Sequence, residues 1–393
     1  MRLVSLCHQT IPSHHTNTQQ LVWTASELAR LGHEVVVICR RSEDEGAEWR
    51  GRIASYYGLD ALPDSIDFVP VGSANGGVLL PEVSADIRNV IAARGMDPDF
   101  VHTRDPVALT LALAAGLSCV FETYRVDLNE SPLFAPWRAL NYRRKNLLGI
   151  VTHSELCRQS FISARVSQER VQTNYNGYSP AQFTPPLTME AARTQLGLAP
   201  TDRLVAYTGH VELTKGIDFV VRLAQELAEV TFLLVGGADG SEKERSAQRL
   251  IARAGVSNIR LVPRVAPKDV PAWLFASDCL LIPPTAAPLQ RHGRTVLPMK
   301  TFSYLAAGRP IVAPELPDLR EVLRHGENAL LVPPDNVGAA AAAIRSVVDR
   351  GPLASQLGQT ARRDAAKYTW GARAERFAAF LQNLGTPAQR SAR

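Results

Sequence analysis

The chain has 393 residues, of which 46% are hydrophobic and 21% are charged, so it holds enough apolar side chains for the two or three globular domains that its length predicts. Its net charge of +5 favours anionic small molecules or an acidic membrane surface as partners, and without a long Lys/Arg block it argues against nucleic acid. The five cysteines form no CxxC pair, which predicts reduced, buried thiols rather than disulfides or a metal site, as is typical of a cytoplasmic protein.

The first half alternates short β-branched runs with stretches of helical period, and its opening apolar run is too short for the core of a signal peptide. Continuous apolar runs are expected of parallel strands that are buried on both faces. The predicted strands are residues 3–7, 34–39, 66–71, 99–103, 119–122 and 149–153. The longest apolar stretch, 108–121, is shorter than the about 20 residues that span a membrane, and it predicts a helix followed by a strand.

The second half repeats this alternation, which predicts a second doubly wound α/β sheet. Its predicted strands are residues 203–208, 230–237, 258–263, 279–284, 309–314 and 329–334. A proline-rich linker between the halves places the boundary near residue 185. The sequence therefore predicts two Rossmann-like domains that face each other across a cleft, over residues 1–185 and 186–367. An amphipathic helix within residues 368–393 is expected to cross back to the first domain. In such sheets ligands bind beyond the carboxyl ends of the strands.

One group of candidate binding residues follows the first strand of the second domain. That strand is predicted to end at Gly209, and Lys215 with Gly216 opens a helix a few residues later. A helix N-terminus offers unpaired N–H groups and the positive end of a dipole, Lys215 adds a full charge, and His210 adds a donor. A nucleotide diphosphate is the natural ligand. The alternative is a solvated lysine at an ordinary helix start.

A second candidate anion site lies in residues 291–335. Arg291, Arg294 and Lys300 precede a helix that is predicted to begin near Thr301 and to end at Gly308. The loop before this helix presents backbone amides and three cations, which again favours an anion. The alternative is a surface loop with scattered charges.

Residues 297–335 resemble the signature stretch of retaining, nucleotide-sugar-dependent glycosyltransferases with the GT-B fold, the group one or family-four class. The matching residues are Lys300, Tyr304, Ala306, Gly308, Pro310, Val312, Ala313, Glu321, Gly326, Asn328, Leu331, Val332 and Pro334. The segment GHVELTKG resembles the diphosphate site of the same class. Further segments resemble other elements of the class in order, so the resemblance covers nearly the whole chain; they are residues 26–38, 101–109, 120–124, 176–183 and 368–370.

This resemblance implies a hexosyltransferase-type enzyme of biosynthesis that moves a sugar from a UDP- or GDP-linked donor with retention. It implies that the enzyme is metal-independent and has no tightly bound cofactor. Lys215, His210 and Arg294 would stabilise the leaving diphosphate as catalytic residues. The residues implied to bind the donor are Gly209, Lys215, Gly216, Arg264, Thr295, Val296, Leu297, Lys300 and Ser303.

The sequence departs from the class at three positions. Thr295 and Ser303 stand where the class has two glutamates, and Tyr124 stands where it has a histidine. A hydroxyl at Ser303 would contact the donor ribose with about 1 kcal/mol rather than the roughly 1.5–3 kcal/mol of a charged group. These changes indicate an unusual donor sugar or altered chemistry.

The first domain supplies the candidate acceptor-side residues. His14, His15, Thr16 and Asn17 follow its first strand, and Glu122, Tyr124, Arg125 and Asp127 lie at the end of its fifth. They would bind a small-molecule, glycan or lipid-linked acceptor, and the alternative is an exposed or salt-bridged loop. The basic and aromatic segment 136–149 would contact the inner face of a membrane peripherally, or would form a solvated helix face.

Three functions therefore compete. The first is a retaining GT-B glycosyltransferase. The second is a GT-B phosphorylase or epimerase-type enzyme that acts on the donor alone. The third is a non-catalytic scaffold subunit with the same fold, which would bind nucleotide weakly or not at all.

Overall fold

The computed structural model describes residues 1–41, 48–71, 81–125, 135–237, 240–287 and 297–385. The chain divides into two compact units, Met1–Asn176 with Trp370–Arg393, and Gly177–Thr369. The division lies earlier in the chain than residue 185, because the segment after Asn176 packs within the second unit. There the Phe183 ring lies 5.8 Å from that of Phe275, and the Tyr178 N–H donates to the Tyr368 carbonyl at 3.0 Å.

The first unit is built on a seven-stranded parallel sheet in the order β3-β2-β1-β4-β5-β6-β7. Its strands are β1 (Arg2–Thr10), β2 (Glu34–Arg40), β3 (Ile66–Pro70), β4 (Phe100–Thr103), β5 (Cys119–Thr123), β6 (Leu147–Thr152) and β7 (Val171–Thr173). Leu3 of β1 pairs with Val35 on one side and Phe100 on the other, which places β1 and β4 side by side at the centre. All six predicted strands of this half are present, whereas β7 was not predicted.

Helices cover both faces of this sheet. They are α1 (Thr16–Arg30), α2 (Trp49–Tyr57), α3 (Pro81–Arg94), α4 (Pro106–Ala114), α5 (Ala135–Arg143), α6 (Glu155–Ser163) and the C-terminal helix (Trp370–Leu384). Buried side chains of α3 to α6 form one core with the sheet, and α1 packs against the C-terminal helix. The apolar stretch 108–121 forms the end of α4 and the start of β5, as predicted.

The second unit holds a six-stranded parallel sheet in the order β10-β9-β8-β11-β12-β13. Its strands are β8 (Leu204–Thr208), β9 (Thr231–Gly237), β10 (Ile259–Pro263), β11 (Cys279–Leu281), β12 (Ile311–Pro314) and β13 (Leu330–Val332). Its helices are α7 (Met189–Leu196), α8 (Ile217–Glu226), α9 (Glu242–Ala254), α10 (Val270–Ala276), α11 (Lys300–Ala307), α12 (Val337–Val348) and α13 (Pro352–Ala365). The predicted fold class, two doubly wound parallel α/β sheets, is confirmed.

Both sheets reverse their strand order once, between β1 and β4 and between β8 and β11. Parallel α/β sheets bind ligands at such reversal points, beyond the carboxyl ends of the strands. The five cysteines are buried, and none of them forms a disulfide in the structure. Among the described residues, no helix combines the length and the apolar character needed to cross a membrane.

Candidate functional site

The segment between β8 and α8 forms a compact loop at the carboxyl end of the second sheet. The Gly209 N–H donates to the Val235 carbonyl of β9 at 2.8 Å, and a 3-10 turn at Leu213–Lys215 leads into the helix. Gly216, in a left-handed conformation with φ +79°, is the capping residue of α8 and has no side chain that could bond the first amides of the helix. The exposed Lys215 therefore stands directly before the N-terminus of α8, as the sequence predicts.

Glycines set how closely this loop approaches its neighbours. A Cβ on Gly236, which has φ +126°, would lie 2.4 Å from the Gly209 carbonyl oxygen. A Cβ on Gly216 would lie 2.6 Å from Cγ2 of Thr285, beyond β11. Side chains at these positions would push the loop off the strand ends, so the glycines hold its backbone there.

A second lysine reaches the end of β8 from α11. Lys300, the first residue of α11, places its Nζ 3.6 Å from the centre of the Tyr207 ring, next to Gly209. Burial and the nearby charge of Lys215 hold the pKa of Lys300 well below its usual value. Two lysines beside a helix N-terminus, one of them buried with a lowered pKa, form a site that an anion would stabilise.

The other predicted donor residues lie around this pair. The Arg264 N–H donates to the Gly237 carbonyl at 2.7 Å, and its Nη2 lies 3.5 Å from His210 Nδ1. The structure thus brings Gly209, His210 and Arg264 to the carboxyl ends of β8, β9 and β10. Sequence reasoning missed the supporting role of Tyr304, whose hydroxyl accepts the Thr208 N–H at 2.9 Å and anchors α11 to β8.

The loop before α11 is only partly described. Arg291, Arg294, Thr295 and Val296 lie outside the described residues, and Leu297 is half-buried just before the helix. Ser303 donates its hydroxyl proton to the Lys300 carbonyl at 3.0 Å, within the first turn of α11. Where the resemblance leads us to expect a carboxylate, this chain has a small hydroxyl that already bonds its own helix.

The first unit carries the predicted acceptor residues at the carboxyl ends of β1 and β5. His14, His15 and Thr16 are exposed where α1 begins, and the Asn17 amide donates to Gln9 Oε1 at 2.9 Å. The exposed Tyr124 ring lies 5.2 Å from Cζ of Arg125 and 5.8 Å from Cζ of Arg104.

Arg104 was not singled out from the sequence, although it lies within the segment 101–109 that resembles the glycosyltransferase class. The available signal was its position directly after a predicted strand, where a parallel sheet presents ligand-binding side chains.

The expectation that Glu122 lines an acceptor pocket is wrong, because this carboxylate is fully buried. Its bonds come from four separate elements, namely Gln20 of α1, His102 of β4, His153 after β6 and Arg373 of the C-terminal helix. Although burial alone would raise the pKa of Glu122, Arg373 and the two histidines hold it well below its usual value. Asp127, named with it, lies outside the described residues.

The basic segment 136–149 is less exposed than its composition suggests. Arg138 and Tyr142 are buried, whereas Leu140, Arg143 and Lys145 are exposed. In the part of the chain that the structure describes, no three His, Cys, Asp or Glu side chains are grouped closely enough to hold a metal ion.

Comparison with solved structures defines the class. Sucrose-phosphate synthase from Thermosynechococcus elongatus is similar with a TM-score of 0.77 at 16% identity, over 98% of each chain. HepE from Anabaena, solved in complex with UDP and glucose, is similar with a TM-score of 0.72 at 18% identity, over 97% of this chain and 99% of that one. The protein therefore has the GT-B fold of two Rossmann-like domains.

The family follows from the sequence itself. A family model described as "Glycosyl transferases group 1" matches residues 202–350, and one described as "Glycosyltransferase Family 4" matches residues 20–182. The two matches together span most of the chain, which belongs to the group 1 glycosyltransferases with the GT-B fold.

Curated relatives agree with this assignment. The D-inositol 3-phosphate glycosyltransferase of Mycobacterium sp. (strain JLS) is 28% identical over 208 residues, which is 52% of this chain and 45% of that protein. The protein of the same name from Mycolicibacterium smegmatis is 26% identical over 276 residues, 69% of this chain and 58% of that one. The chain matches about half the length of these relatives.

Proposed function

We propose that the protein transfers a sugar from a nucleoside diphosphate sugar to an acceptor hydroxyl, with retention at the anomeric carbon. The observation that carries this proposal is the convergence of Lys215 and Lys300 with the N-terminus of α8 at the end of β8. A diphosphate would neutralise the two lysines and accept hydrogen bonds from the N–H groups at the start of the helix. His210 and Arg264 would complete the contacts to the donor from the ends of β8 and β10.

In the proposed reaction the bond from the anomeric carbon to the diphosphate oxygen breaks, and the acceptor oxygen bonds to the same face of that carbon. Negative charge grows on the leaving diphosphate, and fixed cations lower the barrier because they need no rearrangement as that charge develops. Lys215 and Lys300 supply this stabilisation from the second unit. The acceptor proton passes to an oxygen of the leaving phosphate, so the step needs no separate protein base or metal ion.

UDP is the preferred nucleotide of this proposal, with GDP as the alternative. The support is that HepE, which shares the fold, was solved with UDP and with UDP-glucose. For the acceptor, the names of the curated relatives support a polyhydroxylated small molecule. Because Ser303 offers no carboxylate to the donor ribose, we expect donor affinity to depend more on the diphosphate contacts.

A turnover assay tests the proposal. Purified protein is supplied with UDP-glucose and other UDP- and GDP-sugars, with and without a panel of polyols and sugars, and release of the nucleotide is measured. We expect acceptor-dependent release that falls at least about tenfold in Lys215→Ala, since a charge-assisted contact contributes about 1.5–3 kcal/mol. Lys243→Ala, an exposed lysine of α9 in the same unit, serves as the matched control and should leave the rate unchanged.

The competing functions give different results in the same assay. If free sugar or sugar phosphate is released at the same rate without an acceptor, the enzyme is of the phosphorylase or epimerase type and does not transfer the sugar to an acceptor. If no nucleotide binds at millimolar concentration, the protein is a scaffold subunit and not a transferase.

We also propose that the first unit contacts an anionic membrane surface through Leu140, Arg143 and Lys145 at the end of α5. An exposed leucine beside two exposed cations combines apolar insertion with attraction to anionic headgroups. Sedimentation with vesicles that contain anionic lipid should carry the protein down, and Arg143→Glu should weaken this. Equal sedimentation with neutral vesicles would contradict the proposal.

A further inference from the structure

Tyr207 lies one residue before the end of β8, and its side chain is fully buried next to the proposed diphosphate site. β8 is an inner strand of the second sheet, where Tyr207 pairs with Leu234 of β9 and the neighbouring Ala206 pairs with Leu280 of β11. A buried aromatic side chain in an inner strand is closely packed and has little freedom to move. The ring therefore offers a fixed surface to the residues that contact it.

The face of this ring contacts the side chain of Lys300. The Lys300 Nζ lies 3.6 Å from the ring centre, inside the distance of about 6 Å over which an aromatic face attracts a cation. In the part of the chain that the structure describes, no carboxylate and no other hydrogen-bond acceptor is bonded to this amine. Burial and Lys215 hold the pKa of Lys300 well below its usual value, and the ring opposes them because it attracts the ammonium form.

The hydroxyl of the same residue ties the ring to the loop that follows β8. It donates to the His210 carbonyl at 2.8 Å, and the Gly209 N–H donates to the Val235 carbonyl, also at 2.8 Å. A buried hydroxyl that lost its acceptor would lose stability, so this bond is a firm constraint. The ring and the first residues of the loop are therefore fixed relative to each other.

Gly209 makes room for this arrangement. A Cβ on this glycine, which has φ +132°, would lie 3.1 Å from Lys300 Nζ and 3.3 Å from the Tyr207 hydroxyl oxygen. Both distances are tighter than most contacts of a real Cβ atom. The absence of a side chain at Gly209 thus lets the amine and the hydroxyl lie against the same stretch of backbone.

From this geometry we infer that Tyr207 is a positioning residue of the donor site, whose ring holds Lys300 where the diphosphate binds. The inference rests on the proposed function, because it assumes a diphosphate beside Lys300. Tyr207 does not contact the donor and acts through the lysine. A lysine that is already held in place loses less side-chain freedom when the diphosphate binds, and donor affinity is higher for that reason.

Two substitutions of Tyr207 test the role of the ring. Tyr207→Phe keeps the ring and removes the hydroxyl, whereas Tyr207→Leu removes both. Binding of UDP to the full chain is measured by titration calorimetry. We expect Tyr207→Leu to bind UDP about threefold to thirtyfold more weakly than Tyr207→Phe, which is the range that an aromatic face contributes to a nearby cation. Equal affinities of the two variants would overturn the inference.

The same pair in a Lys300→Met background shows whether Tyr207 acts through the lysine. If it does, Tyr207→Phe and Tyr207→Leu bind UDP equally in this background, because no cation is left for the ring to hold. A ring that only supports the fold would give the same ratio of affinities with and without Lys300. That result would also overturn the inference.

The controls separate a folding defect from a loss of positioning. Phe232→Leu removes a fully buried ring of the same core at the amino end of β9, and it should bind UDP like the wild type. If the melting transition shows that Tyr207→Leu does not fold, Tyr207→Met takes its place, because this flexible side chain fills more of the space without a π face. UDP that fails to bind the wild type overturns the proposed function itself. UDP that binds the wild type and both Tyr207 variants equally overturns only the role of Tyr207.

Discussion

The buried Glu122 offers the sharpest test of the structure of the first unit. Its carboxylate is wholly inaccessible and joins β5 to α1, β4 and the C-terminal helix through Gln20, His102 and Arg373. In Glu122→Gln the side chain keeps its shape but loses its charge. Arg373, which is also fully buried, then keeps an ion inside the unit without a carboxylate partner.

The size of the effect follows from this burial. Removal of one partner from a buried ion pair costs about 3–5 kcal/mol, because an uncompensated charge remains in a medium of low polarity. For a unit of about 200 residues, about 1 kcal/mol shifts the melting temperature by roughly 2–4 °C. We therefore expect the transition of the first unit to fall by on the order of 10 °C, and that of the second unit to stay unchanged.

Scanning calorimetry measures the melting of the first unit apart from that of the second, since the two units need not unfold in one step. Glu34→Gln is the matched control, because Glu34 pairs with Arg2 at 3.0 Å but lies on the surface, where a pair contributes about 0–1 kcal/mol. If the free energy of unfolding of the first unit in Glu122→Gln lies within about 1 kcal/mol of the wild-type value, the argument is refuted. Water or a local rearrangement would then compensate the charge of Arg373.

Further predictions concern strain and pH. Gly236→Ala should destabilise the second unit by about 1–3 kcal/mol in urea unfolding, because it adds a clash to a left-handed residue. Gly338→Ala, in a helix where the new methyl group would meet only Asn336 at an ordinary contact distance of 3.7 Å, should not. Burial lowers the pKa of His153 to about 4, so the unfolded chain binds more protons below pH of about 6.5. Stability should therefore fall as pH drops from about 6.5 to 4, by up to about 1.4 kcal/mol per pH unit, and His153→Gln should flatten that slope. Burial and Lys215 lower the pKa of Lys300, so unliganded protein should gain stability as pH rises towards the usual lysine value. UDP should bind more tightly as pH falls through this lowered pKa, since a diphosphate favours the protonated amine, and in titration calorimetry Lys300→Met should lose this dependence; an unchanged dependence would contradict the assignment.

The strands were predictable because of how a parallel sheet is buried. A strand that is covered by helices on both faces reads as an uninterrupted apolar run, and every predicted run became a strand. β7 was not predicted because it is an edge strand of three residues, Val171–Thr173, of which only the valine is buried. The domain boundary was placed late because the prolines near residue 185 resemble a linker, whereas the side chain of Phe183 packs within the second unit.

The candidate site was predictable where it is local in sequence. Its pattern is contiguous in the sequence: a glycine after the strand, then Lys215 and Gly216, then a helix. The structure has the turn and the helix that this pattern predicts. Contacts between segments that are distant in the sequence could not be predicted. Lys300 over the Tyr207 ring and Arg373 against Glu122 depend on the order of strands and helices, which a pattern of residues does not specify.

The central claim is that the end of β8 in the second unit binds a nucleoside diphosphate. Hydrogen exchange with and without UDP tests it most directly, with Lys215→Ala and Lys243→Ala beside the wild type. We predict that UDP protects the amides of residues 209–219 and the first turn of α11, that Lys215→Ala loses this protection at the same UDP concentration, and that Lys243→Ala keeps it. Protection that appears elsewhere, or that persists in Lys215→Ala, would contradict the account.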